Sequence, residues 1–169
     1  MLIAFSGLPG TGKTSTAREL ARRLRAVYLR VDTVEQALRS CGTLEEVMAE
    51  GYETIYRLAE DNLNLGLTVI ADSVNPLDIT REAWADVARE ADVRLVNVEI
   101  ICSDEAEHRR RVETRSSDIS DLVLPTWEQV KNREYHPWTQ PRIVIDTAGL
   151  SVEVCVDDLI SKLAAARSH

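Results

Sequence analysis

The sequence predicts an α/β fold built around a mostly parallel β-sheet. Short apolar segments alternate along the chain with amphipathic segments of helical period, and strands that alternate with helices in this way form parallel sheets. A glycine-rich turn, Gly7–Thr14, separates the first apolar segment from the first amphipathic one. The 169 residues contain no repeat, low-complexity tract or linker, so we expect a single domain over residues 1–169.

Five segments have the length and the apolar, β-branched composition of buried strands. The predicted strands are Leu2–Ser6, Val27–Val31, Thr68–Asp72, Arg94–Ile101 and Arg142–Asp146. Helical periodicity occupies the segments between and after them. The predicted helices are Lys13–Leu24, Thr33–Leu38, Leu44–Asn64, Ile79–Ala91, Asp104–Arg115, Trp127–Arg133 and Val152–Ala165. Because parallel strands end at one edge of the sheet, the polar residues that follow them are expected to converge there.

Composition excludes several classes of function. The net charge is −8, whereas proteins that bind DNA or RNA usually present a basic face, so we expect no nucleic-acid partner. No apolar run approaches the length of a membrane span, and the first residues lack the basic segment of a signal peptide. The three cysteines are widely spaced, which suits reduced thiols. We therefore expect a cytoplasmic protein without a membrane anchor.

The glycine-rich turn matches a complete phosphate-binding loop, G-x-x-x-x-G-K-[ST], between a predicted strand and a predicted helix. Glycines in such a loop let successive backbone N–H groups point at phosphate oxygens, at the N-terminus of the helix. Lys13 would reach the β- and γ-phosphates, and the Thr14 hydroxyl would bind Mg²⁺. The expected nucleotide-binding residues are Gly7, Leu8, Pro9, Gly10, Thr11, Gly12, Lys13, Thr14 and Ser15. The motif thus predicts binding of a nucleoside triphosphate.

Asp32 follows the second predicted strand. A carboxylate at this edge of the sheet could accept the proton of a substrate hydroxyl as it attacks the γ-phosphorus, or could orient that hydroxyl. Aspartate is also a common N-cap, and Asp32 with Thr33 precedes a predicted helix. On position alone the two interpretations carry equal weight. They are compatible, because a capping aspartate can still face the site.

The third predicted strand ends in Asp72, as in the Walker B pattern. Its carboxylate would hold Mg²⁺ directly or through water, beside the Thr14 hydroxyl. Many buried strands end in aspartate, so this interpretation depends on the phosphate loop upstream. Thr14 and Asp72 are the expected metal-binding residues.

The segment from Asp104 to Arg115 combines a helical pattern with the densest positive charge of the chain. Ser103 is predicted as the N-cap of this helix, and residues 116–125 lose periodicity and predict a polar loop. Arg111 and Arg115 are four residues apart and share one helix face. Residues of about 104–125 would then form a lid whose arginines neutralise charge on the transferring phosphoryl group. The alternative is a solvated face that pairs with neighbouring glutamates.

Several aromatic and histidine side chains are expected to be structural. His108 and His136 have no metal-ligand spacing. Tyr52 and Tyr56 lie one turn apart on a predicted helix and are expected to pack, with a place in a substrate pocket as the alternative. The turn at 147–149 follows the last predicted strand and is a place where an adenine ring could rest.

These motifs resemble a family of small kinases with the nucleoside-monophosphate-kinase-like fold, which includes chloramphenicol phosphotransferase, zeta toxins and the kinase domain of phage polynucleotide kinase. The resemblance covers nearly the whole chain. Residues 31–38 are similar to the segment that carries the catalytic aspartate of chloramphenicol phosphotransferase. Arg111 and Arg115 match the lid arginines of the polynucleotide kinase in spacing, and Asp72 with the later Arg81 and Trp84 resembles its third-strand region.

The resemblance implies a three-layer P-loop kinase fold, with a five-stranded parallel sheet of order 2-3-1-4-5 flanked by helices and a small helical lid. It also implies that Asp32 is the general base and that Arg111 and Arg115 form the lid. One departure concerns the acceptor. The polynucleotide kinase has an arginine three residues after its catalytic aspartate, where this chain has Glu35. Together with the acidic net charge, Glu35 argues against a nucleic-acid end as acceptor.

These expectations combine into an ATP- and Mg²⁺-dependent kinase that transfers the γ-phosphoryl group to a hydroxyl of a small molecule. The acceptor stays open among antibiotics, sugars and other metabolites. The expected catalytic residues are Lys13, Asp32, Arg111 and Arg115. One alternative is a nucleoside or nucleotide kinase, which needs a phosphate clamp near Arg30 and Arg81. The other is an ATP-binding regulatory switch, which needs no acceptor base.

Overall fold

The computed structural model describes residues 1–42 and 49–166, which form a parallel sheet with helices on both faces. The strands are β1 (Leu2–Ser6), β2 (Val27–Arg30), β3 (Val69–Asp72), β4 (Leu95–Ile101) and β5 (Ile143–Asp146). The helices are α1 (Lys13–Leu24), α2 (Val31–Ser40), α3 (Glu50–Asn64), α4 (Asp78–Glu90), α5 (Glu105–Thr114), α6 (Trp127–Lys131) and α7 (Val152–Ala165). Within these two ranges, no helix is long and apolar enough to cross a membrane.

The sheet order is β2-β3-β1-β4-β5, and every neighbouring pair is parallel. This is the order that the resemblance implies, so the predicted fold class is confirmed. Because β1 lies in the middle of the sheet, all five of its residues are buried, which explains its continuous apolar sequence. Ile3 and Phe5 pack on the face covered by α1 and α7, and Leu2 and Ala4 pack on the face covered by α3 and α4.

The predicted elements are present, with corrections at their ends. Val31 is the first residue of α2 and does not extend β2. Ser103 is not the N-cap of α5, because the Asp104 side chain accepts a hydrogen bond from the Glu107 N–H at 2.9 Å and caps the helix instead. The structure describes α3 from Glu50 onwards, and the earlier part of the predicted helix, residues 44–48, lies outside the described residues.

Helices α5 and α6 are anchored to the phosphate loop by a small apolar cluster. Val112 of α5 packs with Trp127 and Val130 of α6, and Leu8 of the phosphate loop lies against them. His108 of α5 is buried, and its Nε2 lies 2.9 Å from the Pro9 carbonyl oxygen. This histidine therefore has a structural position, as expected, and α5 is held directly against the loop.

Arg81 of α4 is fully buried and joins two loops. Its guanidinium donates hydrogen bonds of 2.9–3.2 Å to the backbone carbonyls of Asn75, Pro76, His136 and Pro137. It also lies 4.1 Å from the centroid of the Trp138 ring, a cation–π distance. Since these contacts occupy the Arg81 guanidinium inside the protein, the phosphate clamp that combines it with Arg30 does not form.

Candidate active site

The glycine loop between β1 and α1 is shaped by backbone conformations that other residues rarely adopt. Gly7, Gly10 and Gly12 have φ angles of 137°, 87° and 92°, which are unfavourable for side chains with a Cβ. There is also no room for a side chain at position 10, because a Cβ on Gly10 would lie 2.4 Å from Cγ2 of Val112. Gly12 is the N-cap of α1. The loop N–H groups are therefore held at a helix N-terminus, where phosphate oxygens bind.

Lys13 and Asp72 form a buried ion pair at the carboxyl ends of β1 and β3. Lys13 Nζ lies 2.7 Å from Asp72 Oδ1, and the two side chains are 8% and 1% exposed. Tyr28 of β2 donates its hydroxyl to Asp72 Oδ2 at 2.7 Å. Burial raises the pKa of the Asp72 carboxyl, but the Lys13 ammonium and hydrogen bonds from Tyr28 and Thr14 hold it below its ordinary value.

Asp32 lies in the first turn of α2, neither at the end of β2 nor at the N-cap. Arg30 is the N-cap residue, and no side chain caps this helix. The Asp32 carboxylate is 42% exposed, and its Oδ2 lies 3.5 Å from Arg30 Nε. The N-terminal end of a helix favours a negative charge. Asp32 is therefore an ionisable side chain held beside a cation and open to the cleft.

Arg111 and Arg115 both line the cleft, but their side chains occupy different environments. Arg111 lies in the last turn of α5 and donates to the Thr147 hydroxyl and carbonyl at 2.8 and 2.9 Å and to Glu107 at 2.7 Å. Arg115 follows the end of α5 in an extended conformation. Burial lowers its pKa, and the nearby charge of Asp32 opposes this shift. Arg115 thus shares the cleft with Asp32, whereas Arg111 is fixed at the turn after β5.

A cleft of about 1090 Å³ brings most of the predicted site residues together. Among its lining residues are Leu8, Pro9, Gly10, Gly12, Lys13, Thr14, Ser15, Asp32, Arg111 and Arg115. Gly7, Thr11 and Asp72 are buried behind this lining. Thr11 shapes the loop, since its hydroxyl donates to the Leu8 carbonyl at 2.9 Å.

One end of the cleft is formed by the turn after β5. Thr147 is buried, and its hydroxyl donates to the Thr11 carbonyl at 2.7 Å, which fixes the turn against the phosphate loop. Leu150, Val152 and Cys155 add apolar surface to the lining nearby. Together with the Arg111 guanidinium on Thr147, this end offers an apolar wall and a planar cation of the kind that a purine base stacks against.

The other end of the cleft is formed by α2 and α3. Glu35 of α2 packs so closely on Gly51 of α3 that a Cβ at position 51 would lie 2.5 Å from Glu35 Cγ. Burial raises the pKa of the Glu35 carboxyl, and a hydrogen bond from Arg39 opposes this shift. Burial also raises the pKa of the neighbouring Tyr52 phenol to about 12. This end of the cleft therefore presents mainly polar and charged side chains of α2, with the Tyr52 ring beside them.

Several residues at the cleft were not predicted. Tyr28 contacts Asp72 across the sheet, and Asp118 of the lid loop pairs with Arg18 of α1 and with Arg30. The signal for Tyr28 in the sequence was a polar-tipped aromatic residue in an apolar strand. No signal pointed to Asp118, because its partners lie 100 and 88 residues away in a loop without periodicity.

The donor atoms at Thr14 and Asp72 fit a hard divalent cation. The two side chains are within hydrogen-bonding reach, and hydroxyl and carboxylate oxygens are the ligands that Mg²⁺ prefers. In the described part of the chain, no group of three or more His, Cys, Asp or Glu side chains could hold a metal by itself. An ion at this position would therefore need further oxygen ligands from phosphate groups and water.

Comparison with known proteins agrees with this geometry. The chain is 24% identical, over 170 residues, to the adenylyl-sulfate kinase of Acaryochloris marina (strain MBIC 11017), covering 96% of this chain and 80% of the relative. The structure is similar to the Mycobacterium tuberculosis APS kinase CysC in complex with AMPPNP and APS, with a TM-score of 0.69, 20% identity and 96% of each chain covered. It is also similar to a gluconokinase from Sinorhizobium meliloti 1021, with a TM-score of 0.67, 15% identity and coverage of 97% of this chain and 91% of that one.

These likenesses establish the fold of the P-loop kinases. The model of one protein family, AAA_33, described as an AAA domain, matches residues 2–137. This match spans most of the chain, from β1 through the lid region to the segment held by Arg81. The chain therefore belongs to the AAA_33 family of AAA domains.

Proposed function

We propose that this protein is an ATP- and Mg²⁺-dependent kinase that transfers the γ-phosphoryl group to a hydroxyl of a small molecule. The observation that carries the proposal is the cleft itself, which is lined by the phosphate loop on one side and by the Asp32 carboxylate on the other. A protein that only binds nucleotide needs the loop but has no use for an acceptor base. The similarity to an adenylyl-sulfate kinase and to a gluconokinase supports the same reaction class.

On the nucleotide side, the loop N–H groups and Lys13 bind the triphosphate. The Lys13 ammonium has three N–H donors, so it could donate to a phosphate oxygen as well as to Asp72. Tyr28 is also hydrogen-bonded to Asp72 and stabilises its charge. The AMPPNP in the similar CysC structure supports an adenine nucleotide, which would place its base at the Arg111 end of the cleft.

Thr14 and Asp72 would hold Mg²⁺ together with oxygens of the bound triphosphate. The ion would neutralise phosphate charge and make the γ-phosphorus easier to attack. The Lys13 ammonium and the Tyr28 hydroxyl keep the Asp72 carboxylate ionised and fixed, against the effect of burial. Thr14 and Asp72 therefore have the donor atoms that the cation needs, without a dedicated cage of protein ligands.

On the acceptor side, Asp32 accepts the proton of the attacking hydroxyl or orients it toward the γ-phosphorus. Arg30 lies beside Asp32 and keeps the carboxylate in position. Arg115 lines the cleft with Asp32 and would balance charge on the transferring phosphoryl group, because its Nε has no hydrogen-bond partner among the described residues. Arg111 would act on the nucleotide instead, from its fixed position on Thr147.

Acceptor-dependent ADP release tests the proposal. The purified protein is incubated with ATP, Mg²⁺ and a panel of sugars, polyols, hydroxy acids, amino acids and hydroxylated antibiotics. At the acceptor that gives turnover, we expect Asp32→Asn to lower kcat by about 10²-fold or more, the scale of general base catalysis, and to leave ATP affinity nearly unchanged. Asp86→Asn serves as the matched control, because Asp86 lies on α4, pairs with Arg89 and is outside the cleft.

Two results would contradict the proposal. If Asp32→Asn kept full turnover, Asp32 would have no role in proton transfer. If the protein bound ATP but no compound in the panel increased ADP release, an acceptor hydroxyl would not be its substrate.

A further inference from the structure

Two arginines converge on one carboxylate at the mouth of the cleft. Arg18 Nη2 of α1 and Arg30 Nη1, at the end of β2, bind opposite oxygens of Asp118. The Arg30 contact is 2.9 Å long. Asp118 belongs to the loop between α5 and α6, which forms part of the proposed lid. This loop therefore places a carboxylate between two cations that belong to α1 and to the end of β2.

The arginines around this part of the cleft have more N–H donors than the described residues accept hydrogen bonds from. Arg30 Nε and Arg115 Nε are buried and have no hydrogen-bond partner among the residues that the structure describes. Arg30 is 9% exposed as a side chain, so these donors are not solvated. A buried N–H of a charged group without a hydrogen bond is unfavourable unless an acceptor arrives. Arg30 Nε has only a long ion pair with Asp32, at 3.5 Å, so both Nε donors can bind an anion that a ligand supplies.

This cluster lies on the acceptor side of the cleft. Arg18 is five residues beyond Lys13, which is roughly 7.5 Å along the helix axis at about 1.5 Å per residue. Arg30 ends β2, and β3 separates β2 from β1, the strand that leads into the phosphate loop. Arg30 Nε is also only 3.5 Å from Asp32 Oδ2. A group bound by Arg18 and Arg30 would therefore belong to the molecule whose hydroxyl meets Asp32.

We propose that Arg18, Arg30 and Arg115 form an anion subsite for the acceptor, and that the Asp118 carboxylate occupies this subsite in the free protein. The acceptor is accordingly a small molecule that carries a carboxylate or a phosphate group in addition to its hydroxyl. This inference rests on the proposed kinase function and narrows its substrate class. The incoming anion displaces Asp118, which is 51% exposed and can turn to solvent, and the lid loop is released at the same time.

The chemistry of the cluster selects an anion over a neutral polyol. Guanidinium groups bind carboxylate and phosphate through paired N–H donors, whereas a neutral hydroxyl could not replace the charge of Asp118 between Arg18 and Arg30. In a chain with a net charge of −8, a cluster of arginines is not expected from composition alone. A local positive site in an acidic protein therefore indicates a specific ligand group.

Binding of inorganic sulfate tests the subsite without any knowledge of the acceptor. Calorimetric titrations use sodium sulfate at constant ionic strength, with AMPPNP and Mg²⁺ saturating so that sulfate does not enter the phosphate loop. We expect Asp118→Asn to tighten sulfate binding by about tenfold, because the internal competitor is lost. Adding Arg18→Gln to that variant should weaken binding by about ten- to a hundredfold, the scale of one charge-assisted hydrogen bond.

The matched control is Arg89→Gln, an exposed arginine on α4 that pairs with Asp86 away from the cleft. It should leave sulfate affinity within about twofold, since exposed ion pairs contribute little. A general loss of folding would weaken binding in every variant, so tightening by Asp118→Asn separates the subsite from a structural role. The inference is overturned if Asp118→Asn does not tighten sulfate binding or if Arg18→Gln does not weaken it.

Turnover distinguishes this inference from the proposed function. Hydroxy acids and phosphorylated polyols are compared with neutral polyols that have the same number of hydroxyls. We expect the anionic acceptors to have the higher kcat/KM, and Arg18→Gln to raise their KM by about ten- to a hundredfold with little change in kcat. Equal use of neutral polyols would overturn the anion subsite and leave the kinase intact. No turnover with any acceptor, together with the expected sulfate results, would overturn the kinase and leave the anion site.

Discussion

The buried pair of Lys13 and Asp72 makes a prediction about stability that is independent of activity. Each side chain is less than a tenth exposed, but their routes to water differ. Lys13 lines the cleft and its flexible chain can turn outward, whereas Asp72 lies behind the lining, 1% exposed. Removal of Lys13 should therefore destabilise the protein more than removal of the Asp72 charge, because only Asp72 is left as a buried charge without its counter-ion.

The destabilisation by Lys13→Met cannot exceed the free energy of protonating Asp72, because protonation removes the unpaired charge. In Lys13→Met, protonating a carboxyl of ordinary pKa near 4 at pH 7 requires about 1.4 kcal/mol per pH unit over about three units, so the destabilisation has an upper limit of about 4 kcal/mol. Hydrogen bonds from Tyr28 and Thr14 remain and reduce it, so we expect about 2–4 kcal/mol. In Asp72→Asn, Lys13 turns to water and we expect about 1–2 kcal/mol.

The double variant gives the sharpest result. Adding Asp72→Asn to Lys13→Met removes the stranded charge, so the double variant should be more stable than Lys13→Met alone. The pH dependence has a defined sign. Without Lys13, we expect burial to raise the pKa of Asp72 above its value in the unfolded chain. The folded protein is then more stable when this carboxyl is protonated. The destabilisation by Lys13→Met is therefore present at pH 7 and decreases as the pH falls toward the unfolded pKa near 4.

Urea unfolding at 25 °C, followed by circular dichroism, measures these free energies provided that the m-value stays constant. The exposed pair of Lys162 and Asp158 on α7 is the matched control, since its N···O distance of 2.8 Å is nearly the same. Lys162→Met and Asp158→Asn should each change stability by less than about 1 kcal/mol. The reasoning is refuted if the double variant is less stable than Lys13→Met, or if the effect of Lys13→Met is the same at pH 7 and pH 4.5.

Two further predictions concern the loop and the acceptor end. Gly10→Ala should abolish measurable AMPPNP binding and lower Tm, because its Cβ would clash with Val112 at a φ of 87°; Gly149→Ala, with a φ of 66° and nothing within 4 Å, should keep nucleotide binding, and equal behaviour of the two variants would exclude the clash as the cause. Glu35→Gln should raise Tm at pH 7 but not at pH 4. The pKa of Glu35 is raised in the folded protein, so its contribution to stability is present below the pKa of the unfolded chain and is lost as the pH rises through the pKa of the folded protein. Calorimetry across this range measures the difference, and an equal gain at both pH values would show that its charge is irrelevant.

The parts of the site that could be predicted are those coded by neighbouring residues. The phosphate loop is contiguous, and its glycines are required by backbone angles within the same eight residues. The strands and helices follow from periodicity in short windows. Asp32 was predicted near the correct edge of the sheet, but its place in α2 depends on where the helix begins. The N-cap lies two residues earlier, at Arg30, so Asp32 is a first-turn carboxylate and not the cap.

The errors concern side chains whose partners are distant in sequence. Arg81 looked available as a phosphate clamp, yet carbonyls from around residue 136 occupy its guanidinium. Arg111 and Arg115 both line the cleft, yet Glu107 and Thr147 already bind the Arg111 guanidinium. In both cases the local pattern identified the residue type correctly, and a contact that the pattern does not contain decided what the side chain binds.

The sequence by itself determined the fold class, the nucleotide loop and the acidic side chains at the carboxyl ends of the strands. These depend on local conformation and on burial periodicity, which neighbouring residues carry. Only the tertiary structure decided which charges meet. Lys13 pairs with Asp72 across 59 residues and Arg18 with Asp118 across 100. Such pairings depend on sheet order and on how the lid loop lies over the cleft, because a charged side chain binds whichever counter-ion the folded chain brings within a few ångströms.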